Sequence, residues 1–390
     1  MGGFAGHMMH PYDNDNNTLQ DLINIVKKFE KNKKTTLTEK LDGLNIFVSF
    51  KDNKLTMARN KSDIRSGGFS YDDIMIRWKD NPNVLFAYQF AYIKLSDMLL
   101  LRNNNEMIHN IFNKENYQIW INCEVIHHKA VNVIHYKNDF ISIHNVCAYD
   151  NNANEVEIPS IEKNEALNLY NPKYTYGNYI KLTKDISNVK LSLINNGISD
   201  SAISLLKSSF KCYDLTDSKS TIKDYKIAAF KQYCRITSEF NLNKLIYTPN
   251  ETLNNIIINR LLFNDTSVNL RDIKNIMKND DRIDDSLIES LTSIKCADLT
   301  KIKNYIMLPL IDIFRTFGFN ILKNCEYYVN YYLADDIETS LIDQYAQLDF
   351  YEKYNVLPLA LEGVVFEYKN NTYKLTGYFP LFNDYLRDYK

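Results

Sequence analysis

Apolar residues recur at two different spacings along this chain, and the spacing changes near residue 150. Up to that point, and again over 359–378, short β-branched and aromatic runs such as Ile46–Phe50 stand between polar turns. Such runs are typical of strands. Between 151 and 358 apolar residues recur every three or four positions, which is typical of amphipathic helices. The pattern predicts an α+β protein with strands towards both ends of the chain.

The first part of the chain also contains three predicted helices. The spacing predicts a helix over 18–31, which Thr18 can cap, and two more over 71–78 and 83–101. In the helical region, Asp298 is predicted to cap a further helix, and the apolar spacing at 287–294 predicts another. The predicted strands are 35–38, 46–50, 55–58, 117–126, 139–146, 359–368 and 372–378.

These patterns divide the chain into three segments. A chain of 390 residues is long enough for two domains. Residues 1–150 form the first part of a sheet-containing core, 151–358 a mainly helical insertion, and 359–390 a hairpin that completes the core. The irregular start, Met1–Asn17, fits either a cloning remnant or a loop over a ligand pocket.

Composition excludes several classes of protein. The net charge of −2 excludes a basic surface over the whole chain, so any nucleic-acid binding requires a local patch. The six cysteines form no Cys-x-x-Cys pair, which predicts buried free thiols in a reducing, cytoplasmic location. There is no run of about 18 apolar residues, so no membrane span is expected.

One short stretch between two predicted strands, Glu39-Lys40-Leu41-Asp42-Gly43, combines a lysine with an acid and a glycine. Lys40 lies where a strand ends and a turn begins, so it can be held firmly against a pocket. Gly43 permits close approach of a ligand or of backbone. A solvent-exposed β-turn explains the stretch equally well, so its meaning depends on the residues that follow.

The stretch resembles the nucleotidyl-lysine motif, Lys-x-Asp-Gly, of the superfamily of polynucleotide ligases and capping enzymes. The resemblance implies that Lys40 is the nucleophile and that its neighbours Glu39, Asp42 and Gly43 belong to the nucleotide site. Arg59-Asn60 follows one hairpin later, where the superfamily has an arginine motif, although the residues on either side depart from it. Arginine offers a planar, always charged donor fork for phosphate or a sugar hydroxyl; a solvated basic loop is the alternative.

Two residues of the next predicted strands extend the resemblance. Glu124 lies within an apolar run, where an unpaired carboxylate is costly, so it needs a cation, a metal or a ribose hydroxyl as partner. It resembles the superfamily's sugar-binding glutamate, and a salt bridge is the alternative. Phe140 resembles the aromatic residue that stacks on the base, in a weaker match. The nearby histidines, His127, His128, His135 and His144, are interpreted as surface or core residues.

The last predicted hairpin carries two further matches. Glu362-Gly-Val-Val resembles the superfamily's fourth motif, whose glutamate contacts the catalytic metal. Lys374-Leu-Thr resembles the fifth motif, Lys-x-Lys, but one lysine is missing. Lys374 is therefore a predicted catalytic and nucleotide-binding residue, and Glu362 a predicted nucleotide-binding residue and metal ligand. An ordinary exposed hairpin explains this stretch as well.

The resemblance implies a fold and a reaction. The fold is an antiparallel-sheet nucleotidyltransferase core, of the ATP-grasp-like ligase type, interrupted by the helical insertion and without a C-terminal OB domain. The reaction is attack of Lys40 on the α-phosphorus of ATP, with Mg²⁺ or Mn²⁺, to form a lysyl-AMP intermediate. In a ligase the nucleotide then passes to a 5′-phosphate, and a 3′-hydroxyl displaces it.

The sequence leaves three functions open. The closest resemblance is to phage-type RNA ligases, and the expected absence of an OB domain favours RNA ends as the substrate. A DNA ligase, or another nucleotidyltransferase on the same core, is the second. The third is a catalytically inactive scaffold that binds nucleic acid or is associated with the virion. The missing lysine of the fifth motif keeps this third function open.

Overall fold

The computed structural model of this protein describes residues 8–30, 37–100, 105–130, 133–170, 180–182, 196–237, 251–265, 267–278, 294–325, 341–356 and 361–389. It mixes helices with largely antiparallel sheets, so the predicted α+β class is confirmed. The chain divides into two compact units. Unit 1 comprises Met1–Met8, Lys34–Leu193 and Gly318–Lys390, and unit 2 comprises Met9–Lys33 and Ile194–Phe317.

Unit 1 contains a six-stranded sheet in which β7 alone pairs in parallel, with β5. The remaining strands follow the order β3-β2-β4-β5-β6. Asp52 and Asn53 connect β2 to β3 and both have positive φ, as a two-residue type I′ hairpin requires. The strands are β2 (Leu44–Lys51), β3 (Lys54–Ala58), β4 (Gln118–Ile126), β5 (Phe140–Tyr149), β6 (Glu155–Val156) and β7 (Ile180–Leu182).

Helices of unit 1 cover one face of this sheet. Its largest core joins alternate strand residues, such as Ile121, Cys123 and Val125, to buried residues of the helices, such as Leu95. Because successive strand residues point to opposite faces, the residues between them lie on the other face of the sheet. The helices on this face are α3 (Tyr71–Arg77), α4 (Pro82–Leu100), α5 (Asn105–Phe112) and α6 (Ser160–Leu169), whereas Ile64 of α2 (Lys61–Arg65) packs with Phe47 and Trp120 on the other face.

A three-stranded antiparallel sheet, in the order β1-β8-β9, forms a second layer of unit 1. It consists of β1 (Thr38–Lys40), β8 (Gly363–Tyr368) and β9 (Asn371–Leu375). Lys369 and Asn370, both with positive φ, connect β8 to β9. This sheet joins segments separated by more than 300 residues of sequence, as the return of the β pattern near the C-terminus predicts.

The described part of unit 2 consists mainly of helices. The first helix, α1 (Leu19–Lys28), begins at Thr18, as predicted. The caps of α1 and α8 face each other: Thr18 bridges to Thr221, and the Leu19 amide donates to Ser220 O at 2.8 Å. The other helices are α7 (Asn196–Lys211), α8 (Ile222–Ile236), α9 (Glu251–Phe263), α10 (Leu270–Lys278) and α11 (Cys296–Cys325), within which unit 2 ends, at Phe317.

Two further helices belong to unit 1, α12 (Leu341–Tyr354) and α13 (Phe379–Tyr389). They share a buried cluster in which Phe350 lies 5.3 Å from Phe382. The sequence pattern did not predict α2, α5 or α13, and within the segment predicted to be mainly helical it did not single out α6, α10 or α12. It also placed the start of α11 at an Asp298 cap, whereas the helix begins at Cys296 with Asp298 in its first turn. The helix predicted at 287–294 lies mostly outside the described residues.

The units differ from the predicted segments 1–150, 151–358 and 359–390. Residues beyond 150 stay with the sheet because β7 pairs with β5 and α6 packs against it. The stretch from Gly318 to 358 joins them because α12 packs against α13. The segment Met9–Lys33 leaves the first part, because the cap of α1 pairs with that of α8. The observed unit boundaries therefore depend on contacts between segments that are distant in the chain. The local spacing of apolar residues contains no information about such contacts.

Helix α11 and the cysteines bear on two further expectations. In the described residues, one helical stretch, Ala297–Cys325, is long and apolar enough to cross a membrane, with a mean hydropathy of 1.3. Half of its apolar window is buried, and a core helix passes the same test, so this is weak evidence. Four of the described cysteines are buried free thiols, as predicted, whereas Cys212 is exposed.

Candidate active site

The Lys40 segment forms the joint between the two sheets of unit 1. Lys40 is the last residue of β1 in the three-stranded sheet, and Leu44 is the first residue of β2 in the six-stranded sheet. Only Leu41, Asp42 and Gly43 lie between them. The lysine is therefore held by strand pairing on one side and by a short connection on the other, as the run-turn-run pattern predicted.

The Lys40 ammonium contacts the carboxylate of Glu362, which immediately precedes β8. Strand pairing brings the two residues close together, because Lys40 is opposite Gly363 and Glu362 is the residue that precedes Gly363 in the chain. Both side chains are largely buried, with 19% and 15% exposed. Burial raises the pKa of the Glu362 carboxyl to about 7, although the Lys40 charge opposes the shift. Asp42 and Glu124 add to the increase through repulsion between like charges.

Strand register puts Lys374 on the same face of the small sheet as Lys40. Directly opposed residues of antiparallel strands share a face, and Thr38 opposes Val365, which opposes Lys374. Lys40 lies two residues from Thr38 and therefore on that face too. Standard strand spacings put the two lysine Cα atoms roughly 12 Å apart, so both long side chains can reach one phosphate group.

Glu39 and Asp42 are both buried on either side of Lys40 in the chain. Glu39 lies on the opposite face of β1, paired with Val364 and 4% exposed. The Asp42 carboxylate accepts hydrogen bonds from the backbone amides of Val133 and Ile134 at 2.8 and 2.9 Å. Its own amide donates to the hydroxyl of Tyr136 at 3.0 Å. In this structure Asp42 anchors the segment between β4 and β5, so its predicted place in the nucleotide site is indirect.

The largely buried Glu124 carboxylate has polar partners at both of its oxygens, as expected for a buried charge. One carboxylate oxygen accepts a hydrogen bond from the Gly43 amide at 3.1 Å, and the other lies 3.3 Å from Nε2 of His144. Asn45 opposes Glu124 across the strands and donates to the side chain of Asn122 at 2.7 Å. These polar residues lie on the face of the sheet away from its largest core. The predicted sugar-binding glutamate thus sits directly beside the lysine motif.

Gly43 is required by close packing in this structure. A Cβ atom there would lie 2.6 Å from both the Val125 carbonyl oxygen and Ile126 Cδ1, and 3.0 Å from Glu124 Cγ. We expect Gly43→Ala to lower the free energy of unfolding by about 1–3 kcal/mol, because backbone cannot move aside as a flexible side chain can. Urea denaturation measures the change.

The matched control for that prediction is Gly197→Ala in helix α7. Gly197 is exposed and helical, where alanine is favoured over glycine by about 1 kcal/mol. The control variant is therefore expected to be as stable as the unmodified protein or more so. A Gly43→Ala protein of unchanged stability would contradict the close packing.

Phe140 belongs to a small apolar cluster beneath the lysine motif. It packs with Leu41 and Ile126, and its ring meets that of Tyr136 edge-on at 5.7 Å. Only 3% of Phe140 is exposed. A nucleobase could stack on it only after Tyr136 or Leu41 moved away, so the predicted stacking requires a rearrangement of this cluster.

Arg59 and Asn60 lie at the start of helix α2, directly after β3. The Asn60 side chain caps the helix by accepting a hydrogen bond from the Asp63 amide at 3.0 Å. The Arg59 amide donates to the Asp63 carboxylate at 2.9 Å, and Asp63 also binds Arg77 at 2.7 Å. The local role of Asn60 is therefore helix capping, while the Arg59 side chain is half-buried.

Tyr136 and the polar residues around Glu124, which are Asn45, Asn122 and His144, were not predicted as site residues. Asn45 and Asn122 carried a usable signal, because each interrupts a strongly apolar run at a position facing away from the core. Tyr136 and His144 carried none, since their roles depend on contacts with distant segments.

A small cavity lies beside the lysine motif. It adjoins Asp42 and Gly43, has a volume of about 10 Å³ and is also lined by residues of the segment between β4 and β5. Ligand pockets for small molecules are about 300–1,000 Å³, so this cavity by itself is too small for a nucleotide. A cavity of about 550 Å³ lies elsewhere, lined by residues at α5 and by Glu165 of α6, and contains none of the predicted site residues.

No model of a known protein family matches the sequence, and no curated protein matches it either.

Proposed function

We propose that this protein is a nucleotidyltransferase that forms a covalent lysyl-AMP at Lys40, and that it acts as an ATP-dependent RNA ligase. The observation that carries the proposal is the contact between Lys40 and Glu362. These residues come from two motifs 322 positions apart that resemble the same superfamily. Glu124, from a third motif, bonds to Gly43 of the first. Convergence of three motifs on one joint supports a shared site over three unrelated turns.

The proposed reaction begins with removal of a proton from the Lys40 ammonium. The Glu362 carboxylate contacts this group, and with its pKa raised to about 7 it is a stronger base than an ordinary glutamate. The freed lone pair of Nζ attacks the α-phosphorus of ATP. The N–P bond forms as the bond from the α-phosphorus to the bridging oxygen breaks, and pyrophosphate leaves.

The surrounding residues supply position and charge. Phosphoryl transfer depends mainly on orientation and charge neutralisation. Lys374 shares the face of Lys40, so its charge can neutralise the phosphate oxygens. Arg59 is a half-buried guanidinium suited to a phosphate or sugar oxygen. Glu124, fixed by the Gly43 amide and His144, is suited to accept hydrogen bonds from ribose hydroxyls.

Glu362 also fits the predicted magnesium ion. It is a largely buried carboxylate that two further acids, Asp42 and Glu124, push towards protonation, so a cation at this position would be favourable. Mg²⁺ prefers one or two carboxylates together with substrate phosphates. Once bound, it would supply charge neutralisation for the phosphates and the leaving pyrophosphate.

The experiment that tests the proposal is transfer of label from ATP labelled at the α-phosphate, in the presence of Mg²⁺. We expect the protein to become labelled, and the label to be released by excess pyrophosphate, which reverses the reaction. GTP labelled in the same way tests the choice of nucleotide. An unlabelled protein would contradict the proposal and favour the inactive nucleic-acid-binding scaffold.

The choice of acceptor requires a second step. The labelled protein is incubated with RNA or DNA carrying 5′-phosphate and 3′-hydroxyl ends, both as nicked duplexes and as single strands. We expect sealed RNA. Sealed DNA alone would replace RNA ligase by DNA ligase and leave the lysyl-AMP chemistry intact.

A further inference from the structure

Three side chains at the two ends of the segment between β4 and β5 form a compact cluster. His127 and His128 directly follow β4, and Asp139 directly precedes β5. Their candidate ligand atoms, one from each residue, all lie within 4.8 Å of one another. The histidine rings stack with centroids 4.6 Å apart, and Phe90 packs against the His127 ring at 5.4 Å.

The cluster is already organised around the Asp139 carboxylate. Oδ2 lies 2.8 Å from Nδ1 of His128 and 3.7 Å from Nε2 of His127. Oδ1 accepts a hydrogen bond from the His128 amide at 2.7 Å, which fixes the carboxylate relative to the strand end. The side chain of Lys129, which directly follows His128 in the chain, lies over the ring of Phe86 at 3.9 Å.

We propose that His127, His128 and Asp139 form a binding site for a divalent transition-metal ion of the zinc class. Two imidazoles and one carboxylate are a donor set that Zn²⁺ uses with a fourth position open. Mg²⁺ prefers oxygen ligands, so this site is distinct in chemistry from Glu362. The small cavity lined by His127 and His128 has a volume of about 10 Å³, close to that of one water molecule, which suits the fourth ligand.

Ion binding requires the ligand atoms to change their separations. Bonds of about 2.0–2.1 Å in tetrahedral geometry place ligand atoms about 3.3–3.4 Å apart. The separation between His128 and Asp139 must therefore widen slightly, and that between His127 and Asp139 must shorten. A neutral imidazole that ligates through Nε2 carries its proton on Nδ1. His127 would thus give up the hydrogen bond that its Nδ1 accepts from the Lys129 amide at 3.2 Å.

The location gives the ion a structural role. The segment that it would close carries Val133 and Ile134, whose amides hold Asp42, and Tyr136, whose hydroxyl accepts from the Asp42 amide. An ion joining the two ends of this segment restricts the unfolded chain and stabilises the folded segment. It would therefore stabilise the support of the lysine motif without belonging to the reacting groups.

The test is direct metal binding by the full-length protein after removal of metals with a chelator. Isothermal titration with Zn²⁺ gives the stoichiometry and affinity, and Co²⁺ gives a visible spectrum that reports the coordination geometry. We expect one equivalent bound, with millimolar Mg²⁺ causing no displacement. His128→Ala and Asp139→Asn are each expected to weaken binding at least about tenfold. His128 is exposed, and asparagine at 139 keeps an acceptor for the His128 amide, so both variants should fold.

The matched control is His135→Ala, which removes an exposed histidine of the same segment outside the cluster. It is expected to bind Zn²⁺ as tightly as the unmodified protein. Two results would overturn the proposal: no bound equivalent in the unmodified protein, or equal affinity in all three variants. Because the readout is metal binding, its failure says nothing about covalent labelling at Lys40, and the two proposals stand or fall separately.

Discussion

Replacing Lys40 with arginine is expected to abolish covalent labelling by α-labelled ATP, with a loss of at least about 1000-fold. Arginine keeps the positive charge that faces the buried Glu362 carboxylate, so the ion pair survives. Its guanidinium stays protonated and cannot act as the attacking amine. The arginine substitution therefore removes the chemical role of Lys40 and keeps its structural role. Alanine would remove both roles at once.

Two measurements accompany that variant. Urea denaturation is expected to show a stability close to that of the unmodified protein, because the buried Glu362 retains a cationic partner. Lys54→Arg, at an exposed lysine that begins β3, serves as the control and is expected to be labelled normally. Full labelling of the Lys40→Arg protein would assign the covalent chemistry to another residue and end the proposed mechanism.

Replacing Glu362 with glutamine is expected to remove a large part of the dependence of stability on pH. Burial raises the pKa of the Glu362 carboxyl from its ordinary value of 4.5 to about 7 in the folded state. The folded protein therefore holds this proton over a pH range in which the unfolded chain has released it. The stabilisation is complete below about pH 4.5 and is lost as the pH rises through 7.

The size of the effect follows from the same shift. A difference of roughly 2.5 pKa units corresponds to about 3 kcal/mol, which is an upper estimate because Glu362 is partly exposed and paired with Lys40. Urea denaturation at pH 5, 6, 7 and 8 measures the slope. The unmodified protein is expected to lose stability across this range, and the Glu362→Gln protein to lose clearly less.

Glu367→Gln is the matched control for this second prediction. Glu367 lies on the same strand, β8, but is exposed. Its substitution is expected to leave the slope unchanged. If Glu362→Gln and Glu367→Gln both follow the unmodified protein at every pH, the carboxyl of Glu362 does not titrate near neutrality, and its proposed role as the base for Lys40 fails with it.

The two substitutions also distinguish roles at the joint. Glu362→Gln is expected to slow labelling by about 100-fold, since the amide can neither accept the Lys40 proton nor hold a metal as a carboxylate does. Raising the pH should partly restore the rate if the lost function is proton removal. No restoration would assign Glu362 to metal or phosphate positioning instead.

The sequence by itself determined many of the elements and their order along the chain. The apolar runs at 46–50 and 119–126 and the helical spacing at 18–31 depend on interactions between near neighbours in the chain. That is why α1, β2, β4 and the β8–β9 hairpin were predicted with nearly correct bounds. The lysine motif at a strand end was predicted for the same reason.

The tertiary structure alone decided which of these residues meet. Strand register placed Lys40 opposite Gly363 and beside Glu362, and it put Glu39 on the other face of β1. The Asp42 carboxylate accepts long-range hydrogen bonds from the backbone amides of Val133 and Ile134. The sequence pattern indicated His127 and His128 as surface or core residues and did not single out Asp139. Only the folded chain brings these three residues together in one cluster.

The physical reason is the range of the interactions. A helix cap or a two-residue turn is settled within four residues, so the local sequence records it. A buried ion pair across 322 positions, or a unit boundary at Phe317, depends on burial and register between segments that local periodicity does not relate. The local sequence thus determined the secondary structure of many segments. Packing between distant segments determined the unit boundaries and the contacts at the candidate site.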